Sequence, residues 1–239
     1  MGKEAEQIIR KAGKMKDMLA SVYEFNTGFL LNNEKEKLLE KILFAMTAID
    51  RGFFYGGDEM YSDVALSIGH GQTISQPSTV ARMLMLADLQ EGDEVLEVGS
   101  GSGWNAALAS FLVYPGKIVS IELLNKLKEQ SEKNISGLRN YLKQKKPELY
   151  SKIEKINFYA ESIFAKEKAW KQRYDKIIIT AGIKKGEEKR IEYLASRLLR
   201  KEGILICPYL SGPMMIFKND GKLKRFLTKE NYVFVPLLE

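Results

Sequence analysis

The 239-residue chain has one cysteine, Cys207, and one histidine, His70, so chemistry built on either residue is scarce from the start. A lone cysteine forms no intramolecular disulfide, and its setting between Ile206 and Pro208 at a strand end suits a small buried hydrophobe rather than a nucleophile. The two together cannot build a His/Cys metal site, and no metal is expected. Long apolar runs are also missing: no stretch approaches a membrane span, and Met1 to Glu6 lacks the shape of a signal peptide. Gly2 has no Ser or Thr at the position a myristoylation signal prefers. The expected setting is therefore the cytoplasm, with no membrane contact. Six prolines, no Pro/Gly/Ser linker and no internal repeat give no reason to divide the chain. One domain is expected over residues 1–239, a mainly helical region over 1–67 followed by an α/β core over 68–239.

What is present begins with periodicity. Ile8, Ile9, Ala12, Met15, Leu19 and Val22 recur at helical spacing, as do Leu38, Leu39, Ile42, Leu43 and Met46, with Asn32 or Asn33 as the N-cap. These helices are expected to pack beside the core and help to wall a substrate site. From Glu94 onward strands and helices alternate, which predicts a mostly parallel, twisted, Rossmann-like sheet with helices on both faces.

Val95 to Gly103 reads Val-Leu-Glu-Val-Gly-Ser-Gly-Ser-Gly, an apolar strand that breaks into alternating glycines before a predicted helix over Trp104 to Val113. Glycines here let the backbone turn tightly and approach a ligand at a helix N-terminus. A dinucleotide fingerprint needs its third glycine where this chain has Trp104, so the spacing argues against that class. A second strand, Lys117 to Ile121, ends at Glu122, where a carboxylate can accept hydrogen bonds from both hydroxyls of a ribose. A plain strand-turn-helix could carry the same glycines, and any strand end can carry a glutamate.

The glycine run preceded by Glu97 resembles motif I of the class I S-adenosylmethionine (SAM) methyltransferases. Just upstream, Ile68-Gly-His-Gly-Gln-Thr-Ile-Ser-Gln-Pro-Ser-Thr-Val-Ala-Arg82 closely resembles the signature of the protein-L-isoaspartate O-methyltransferase family. Gly69 and Gly71 permit unusual backbone angles, Thr73 and Ser75 offer hydroxyls, and Pro77 is placed to open a helix over Ser78 to Leu89. Arg173-Tyr-Asp-Lys-Ile-Ile-Ile-Thr-Ala-Gly182 looks like the family's fourth-strand motif, and Gly203 to Pro208 and Asn231 to Leu238 resemble its closing strands.

The resemblance implies methyl transfer from SAM, leaving S-adenosyl-L-homocysteine, to the carboxylate of L-isoaspartyl residues in damaged proteins or peptides. It implies Ser75 as the residue that orients the carboxylate. It further implies a cofactor site made by Thr73, Ile74, Ser75, Glu97, Gly99, Ser100, Gly101, Glu122, Leu123, Glu161, Ser162 and Thr180. A monomer is expected rather than a dimer. Three departures stand out: Tyr159-Ala-Glu-Ser162 replaces the family's Gly-Asp-Gly, Leu124 to Lys155 is longer and more basic than the family norm, and Ala48-Ile-Asp-Arg51 replaces its Val-Pro-Arg.

The formal net charge of +6 leaves open a methyltransferase acting on RNA or another anionic acceptor, and the altered Tyr159-Ala-Glu-Ser162 turn leaves open a SAM-binding module without turnover. Lys143, Lys145, Lys146, Lys152 and Lys155 cluster, but Glu129, Glu132, Glu148 and Glu154 dilute them, which favours a solvated face. Lys184, Lys185, Lys189, Arg190 and Arg197 follow the fourth strand, at the sheet edge where an anionic substrate could meet them. His70 reads as a ring filling a turn, Met83 and Met85 as core filler, and Trp104 equally as pocket wall or sheet packing.

Overall fold

The structure, a computed structural model, describes residues 2–29, 32–165 and 172–239. The N-terminal helical pattern forms two helices rather than one: Gly13, at φ +59°, breaks it into α1 (Lys3–Lys11) and α2 (Lys16–Thr27). Asn32 caps α3 (Asn33–Ala48), its side chain accepting a hydrogen bond from the Lys35 amide at 3.0 Å. Then come a hairpin of β1 (Leu66–Gly69) and β2 (Gln72–Ile74) and the helix α4 (Pro77–Ala87). Proline at the first position of α4 loses no intrahelical bond, and Asp88 closes the helix at φ +54°.

The core follows as β3 (Glu94–Val98), α5 (Trp104–Val113), β4 (Lys117–Glu122), α6 (Asn125–Lys145), α7 (Pro147–Tyr150), β5 (Ile156–Ala160), β6 (Tyr174–Ile179), α8 (Glu188–Leu198) and β7 (Leu199–Pro208). The short β8 (Ser211–Gly212), then β9 (Met214–Asn219), β10 (Leu223–Leu227) and β11 (Tyr232–Val233) complete it. Seven strands form one sheet in the order β10-β9-β7-β6-β3-β4-β5. The pairs β5/β4, β4/β3, β3/β6 and β6/β7 are parallel, and β9 and β10 add an antiparallel edge. The order reverses between β3 and β6, so the carboxyl ends of these two strands border the crevice where open α/β sheets bind ligands.

Why the strands read as unbroken apolar runs is plain from their two buried faces. Val95, Ile178, Ile204 and Ile206 point into a cluster with α3, α4 and α5, while Leu96, Val98, Ile177, Ile179, Leu205 and Cys207 point into a second cluster under α8. Met83 and Met85 are buried in the first cluster, and Cys207 is buried in the second, where desolvation pushes its thiol up. The N-terminal helices share the first cluster, packing on α4 and α5. Among the described residues no helix is long and apolar enough to cross a membrane.

Two expectations need correction. The Asn231–Leu238 segment is not a strand of the main sheet: only Tyr232 and Val233 are extended partners, paired with β8, and Pro236 has no amide hydrogen to extend a ladder. Instead the segment crosses the end of β6, where the Gly182 amide donates to the Val235 carbonyl at 2.7 Å and the Leu237 amide to the Gly182 carbonyl at 2.9 Å. His70, at φ +55° in the turn between β1 and β2, is exposed and does not fill it. Lys143, Lys145 and Lys155 are exposed, as a solvated face requires.

Candidate active site

The carboxyl end of β3 is shaped by three glycines with positive φ, Gly99 at +94°, Gly101 at +52° and Gly103 at +86°. Close approach, as well as backbone angle, demands the first of these: a Cβ on Gly99 would lie 2.6 Å from the Thr180 Oγ1. Thr180 caps β6, with its hydroxyl 2.7 Å from the Gly99 carbonyl and 3.0 Å from that of Val98. From the other side α6 cradles the loop. The Ser131 hydroxyl lies 3.0 Å from the Gly101 carbonyl and 3.1 Å from the Ser100 hydroxyl, and the Asn134 amide donates to the Ser102 carbonyl at 2.9 Å. The loop is thus held at the N-terminus of α5, whose unpaired amides and dipole favour a negatively charged group.

Glu122 ends β4, buried beside the loop. Its Oε2 accepts from the Gly101 amide at 3.0 Å and its Oε1 from the Leu124 amide at 3.1 Å. A carboxylate has further lone pairs, so two hydroxyls can still be accepted. The Tyr159-Ala-Glu-Ser162 departure proves compatible with this edge. Ala160 pairs with Glu122 in the ladder, the Glu161 amide donates to the Glu122 carbonyl at 2.9 Å, and residues 160–162 keep negative φ, so no glycine is required there.

These elements enclose a cleft of about 790 Å³, its open mouth included. Of the residues singled out from the sequence, Thr73, Ile74, Ser75, Gly99, Ser100, Gly101, Glu122, Leu123, Glu161, Ser162 and Thr180 all line it. Glu97 does not. It lies beneath the glycine loop, 1% exposed, with one oxygen accepting from the Asn105 side chain at 2.8 Å and the other from the Ser120 hydroxyl. Desolvation pushes its carboxyl up to about 7, against the lowering effect of those two hydrogen bonds. Trp104 lines the cleft, one of the two roles that its sequence position left open, and its buried ring donates to the Ile49 carbonyl after α3 at 3.0 Å.

Sequence reasoning missed the C-terminal wall. Val235, Pro236, Leu237 and Leu238 line the cleft, and Glu239 pairs with Arg190, whose guanidinium lies 3.9 Å from the centroid of the Phe164 ring. Arg190, one of the cations expected to meet substrate, is therefore already engaged. The N-terminal helices, expected to help wall the substrate site, line no part of the cleft; their apolar faces are spent on α4 and α5.

A second cavity, about 660 Å³ with its mouth, adjoins the first. Ala65, Gln76, Thr79, Val233 and Phe234 belong to it alone, whereas Thr73, Ser75, Thr180 and Val235 line both cavities. Three hydroxyl side chains and one valine thus form the partition between two compartments, and none of the described residues lining the second is charged.

Residues 27–239 match the sequence model of the protein-L-isoaspartate(D-aspartate) O-methyltransferase family (PCMT). A protein-L-isoaspartate O-methyltransferase of Thermosipho melanesiensis is 34% identical over 208 residues, covering 83% of this chain and 94% of the relative. That of Fervidobacterium nodosum is 32% identical over 206 residues, covering 82% and 93%. Among solved structures, a Plasmodium falciparum protein described as a β-aspartate methyltransferase in complex with S-adenosyl-L-homocysteine superposes with a TM-score of 0.69. The match covers 91% of this chain and 97% of that one at 22% identity, a likeness of fold.

Proposed function

Because the chain belongs to the protein-L-isoaspartate(D-aspartate) O-methyltransferase family, we propose that Thr73, Ser75 and Thr180 form the polar partition across which methyl transfer takes place. The enzyme uses SAM to methylate the carboxylate of L-isoaspartyl residues in proteins. The observation that carries the residue assignment is that these three are the polar side chains shared by the two cavities, with Val235 as the fourth, apolar member.

The cleft at the glycine loop fits the cofactor. Its glycine cradle admits close backbone approach, Glu122 offers ribose-accepting oxygens at a strand end, and Leu123, Glu161 and Ser162 provide an apolar and polar wall beyond it for the adenine. Gly99, Ser100 and Gly101, with Ile74 opposite, would hold the amino-acid end. When bound, SAM supplies an electrophilic methyl group on a positive sulfonium.

The protein's own task is then positioning. An isoaspartyl carboxylate is ionised near neutral pH, so no strong general base is needed, and the described residues around the partition include none. Ser75 donates a hydrogen bond that fixes one carboxylate oxygen and leaves the other free to attack. Holding the reacting atoms at near-attack distance recovers the entropy that a bimolecular encounter loses. The described lining of the acceptor cavity, Thr73, Ser75, Gln76, Thr79 and Thr180 among apolar residues, sets the carboxylate among hydroxyls and an amide, where its charge is cancelled by ester formation. The ester can cyclise to a succinimide as the following backbone amide nitrogen attacks the ester carbonyl and methanol leaves, and hydrolysis reopens the ring in part as normal aspartate, which is the chemistry of repair.

Ser75→Ala tests the assignment. Loss of one positioned donor is expected to lower kcat for an isoaspartyl peptide by about 10²-fold, with S-adenosyl-L-homocysteine affinity retained in calorimetry. An unchanged kcat would remove Ser75 from the reaction.

A further inference from the structure

Arg51, the one residue of the Ala48-Ile-Asp-Arg51 segment that keeps to the family's pattern, is fully buried behind the partition. Its Nη1 donates to the carbonyls of Met60 at 3.0 Å and Ser62 at 2.9 Å, and its Nη2 to those of Val64 at 3.0 Å and Ser75 at 3.1 Å. The guanidinium carbon also lies 5.3 Å from the centroid of the Trp104 ring, so the group is wedged between the glycine-loop helix and the acceptor side. We propose that Arg51 is a positioning residue for methyl transfer, setting the Ser75 hydroxyl by gathering the Met60–Val64 loop and the Ser75 carbonyl onto one guanidinium.

The geometry explains why a regular element is not used here. Residues 60–64 form neither helix nor strand, so the carbonyls of Met60, Ser62 and Val64 have no partner in a helix or ladder and find it in the guanidinium. One planar fork satisfies four carbonyls that are 9 to 24 residues away along the chain, and it thereby fixes their directions relative to one another. Asp63, in the same loop, closes the brace. Its Oδ1 accepts from the Ser78 amide at 2.8 Å and its Oδ2 from the Gln76 side chain at 3.1 Å. Ser75 is therefore tied at its own carbonyl and at the next residues, and the loop is continuous with Ala65, which lines the acceptor cavity. At the loop's other end Asp50 accepts from the Tyr61 hydroxyl and the Gly52 amide, both at 2.8 Å. Burial lowers Arg51 to about 10, opposed by Asp63, so it stays protonated throughout the neutral range.

This role rests on the reading of Ser75 above, and the experiment separates the two. Arg51→Lys keeps the charge but replaces the fork by a point donor that cannot span four divergent carbonyls. The expected result is a cooperative thermal transition, S-adenosyl-L-homocysteine affinity within about twofold of wild type, and kcat/KM for an isoaspartyl peptide lower by about 10²-fold, mainly in kcat. In Arg51→Ala, millimolar ethylguanidinium is expected to restore part of the lost kcat and ethylammonium is not. If Arg51→Lys does not fold, Asp63→Ala loosens the same brace from the Ser78 side and is expected to give the same split. Wild-type kcat/KM in the folded variant, or an equal loss of cofactor affinity and turnover, overturns the proposal. Slow Ser75→Ala beside wild-type turnover in Arg51→Lys would remove the role of Arg51 alone, whereas a fully active Ser75→Ala would remove the reading beneath it.

Discussion

Replacing Gly99 by alanine perturbs the cofactor cleft at its tightest point, and the structure gives the size of the effect. At φ +94° an alanine is strained by on the order of 1–3 kcal/mol. Its Cβ would sit 2.6 Å from the Thr180 Oγ1, so the hydroxyl must swing away from the Gly99 and Val98 carbonyls, at about 1 kcal/mol for the hydrogen bond. The loop relieves the combined strain by drawing Gly99 to Gly101 out of the cleft, and the cofactor must push it back. S-adenosyl-L-homocysteine affinity should therefore fall by about 10²-fold, since each 1.4 kcal/mol is about tenfold. Isothermal calorimetry measures this directly. Gly186→Ala is the control, because Gly186 has φ +100° with no atom within 4 Å of where a Cβ would stand, so it carries backbone strain without the contact. In the Gly99→Ala/Thr180→Ala double variant the steric part should vanish and the losses should be less than additive. Wild-type affinity in Gly99→Ala, or a loss no greater than in Gly186→Ala, would refute the reasoning.

Glu122→Gln leaves an amide facing the Gly101 and Leu124 backbone donors, so S-adenosyl-L-homocysteine binding should weaken by about tenfold or more, as loss of a charge-assisted hydrogen bond implies; calorimetry of the folded variant reads this. Glu97 gives a pH signature. Its native value near 7 lies above the ordinary 4.5, so the folded state holds a proton that the unfolded chain has released. The stability it contributes is complete below about 4.5 and is lost as pH rises through about 7, a change of up to roughly 3 kcal/mol. Urea unfolding at pH 5 and pH 8 should show Glu97→Gln gaining on wild type at the higher pH, and parallel curves would exclude the effect.

The residues that line the glycine-loop cleft of the candidate site were legible in the sequence because their requirements are local. Positive φ and close approach call for glycine at Gly99 and Gly103, and the distance to Glu122 is one helix and one strand. Glu97 was harder to assign. A strand buried on both faces has no polar side to give away its direction, and Glu97 turns toward Ser120 and Asn105 instead of the cleft. Arg51 stands in a segment the sequence singled out, but its partners could not be read there, because they are main-chain carbonyls that any residue supplies. The C-terminal wall resembled another strand until Pro236 and the Gly182 contacts turned it across the end of β6.

The most direct measurement of the central claim supplies methyl-labelled SAM to the purified protein with matched isoaspartyl and aspartyl peptides and an RNA acceptor. Label in a base-labile ester on the isoaspartyl peptide alone, lost in Ser75→Ala, is the result expected from the proposed role of the hydroxyl side chains shared by the two cavities. Label on RNA or on the aspartyl peptide, or cofactor binding with transfer to none of the three, would contradict it.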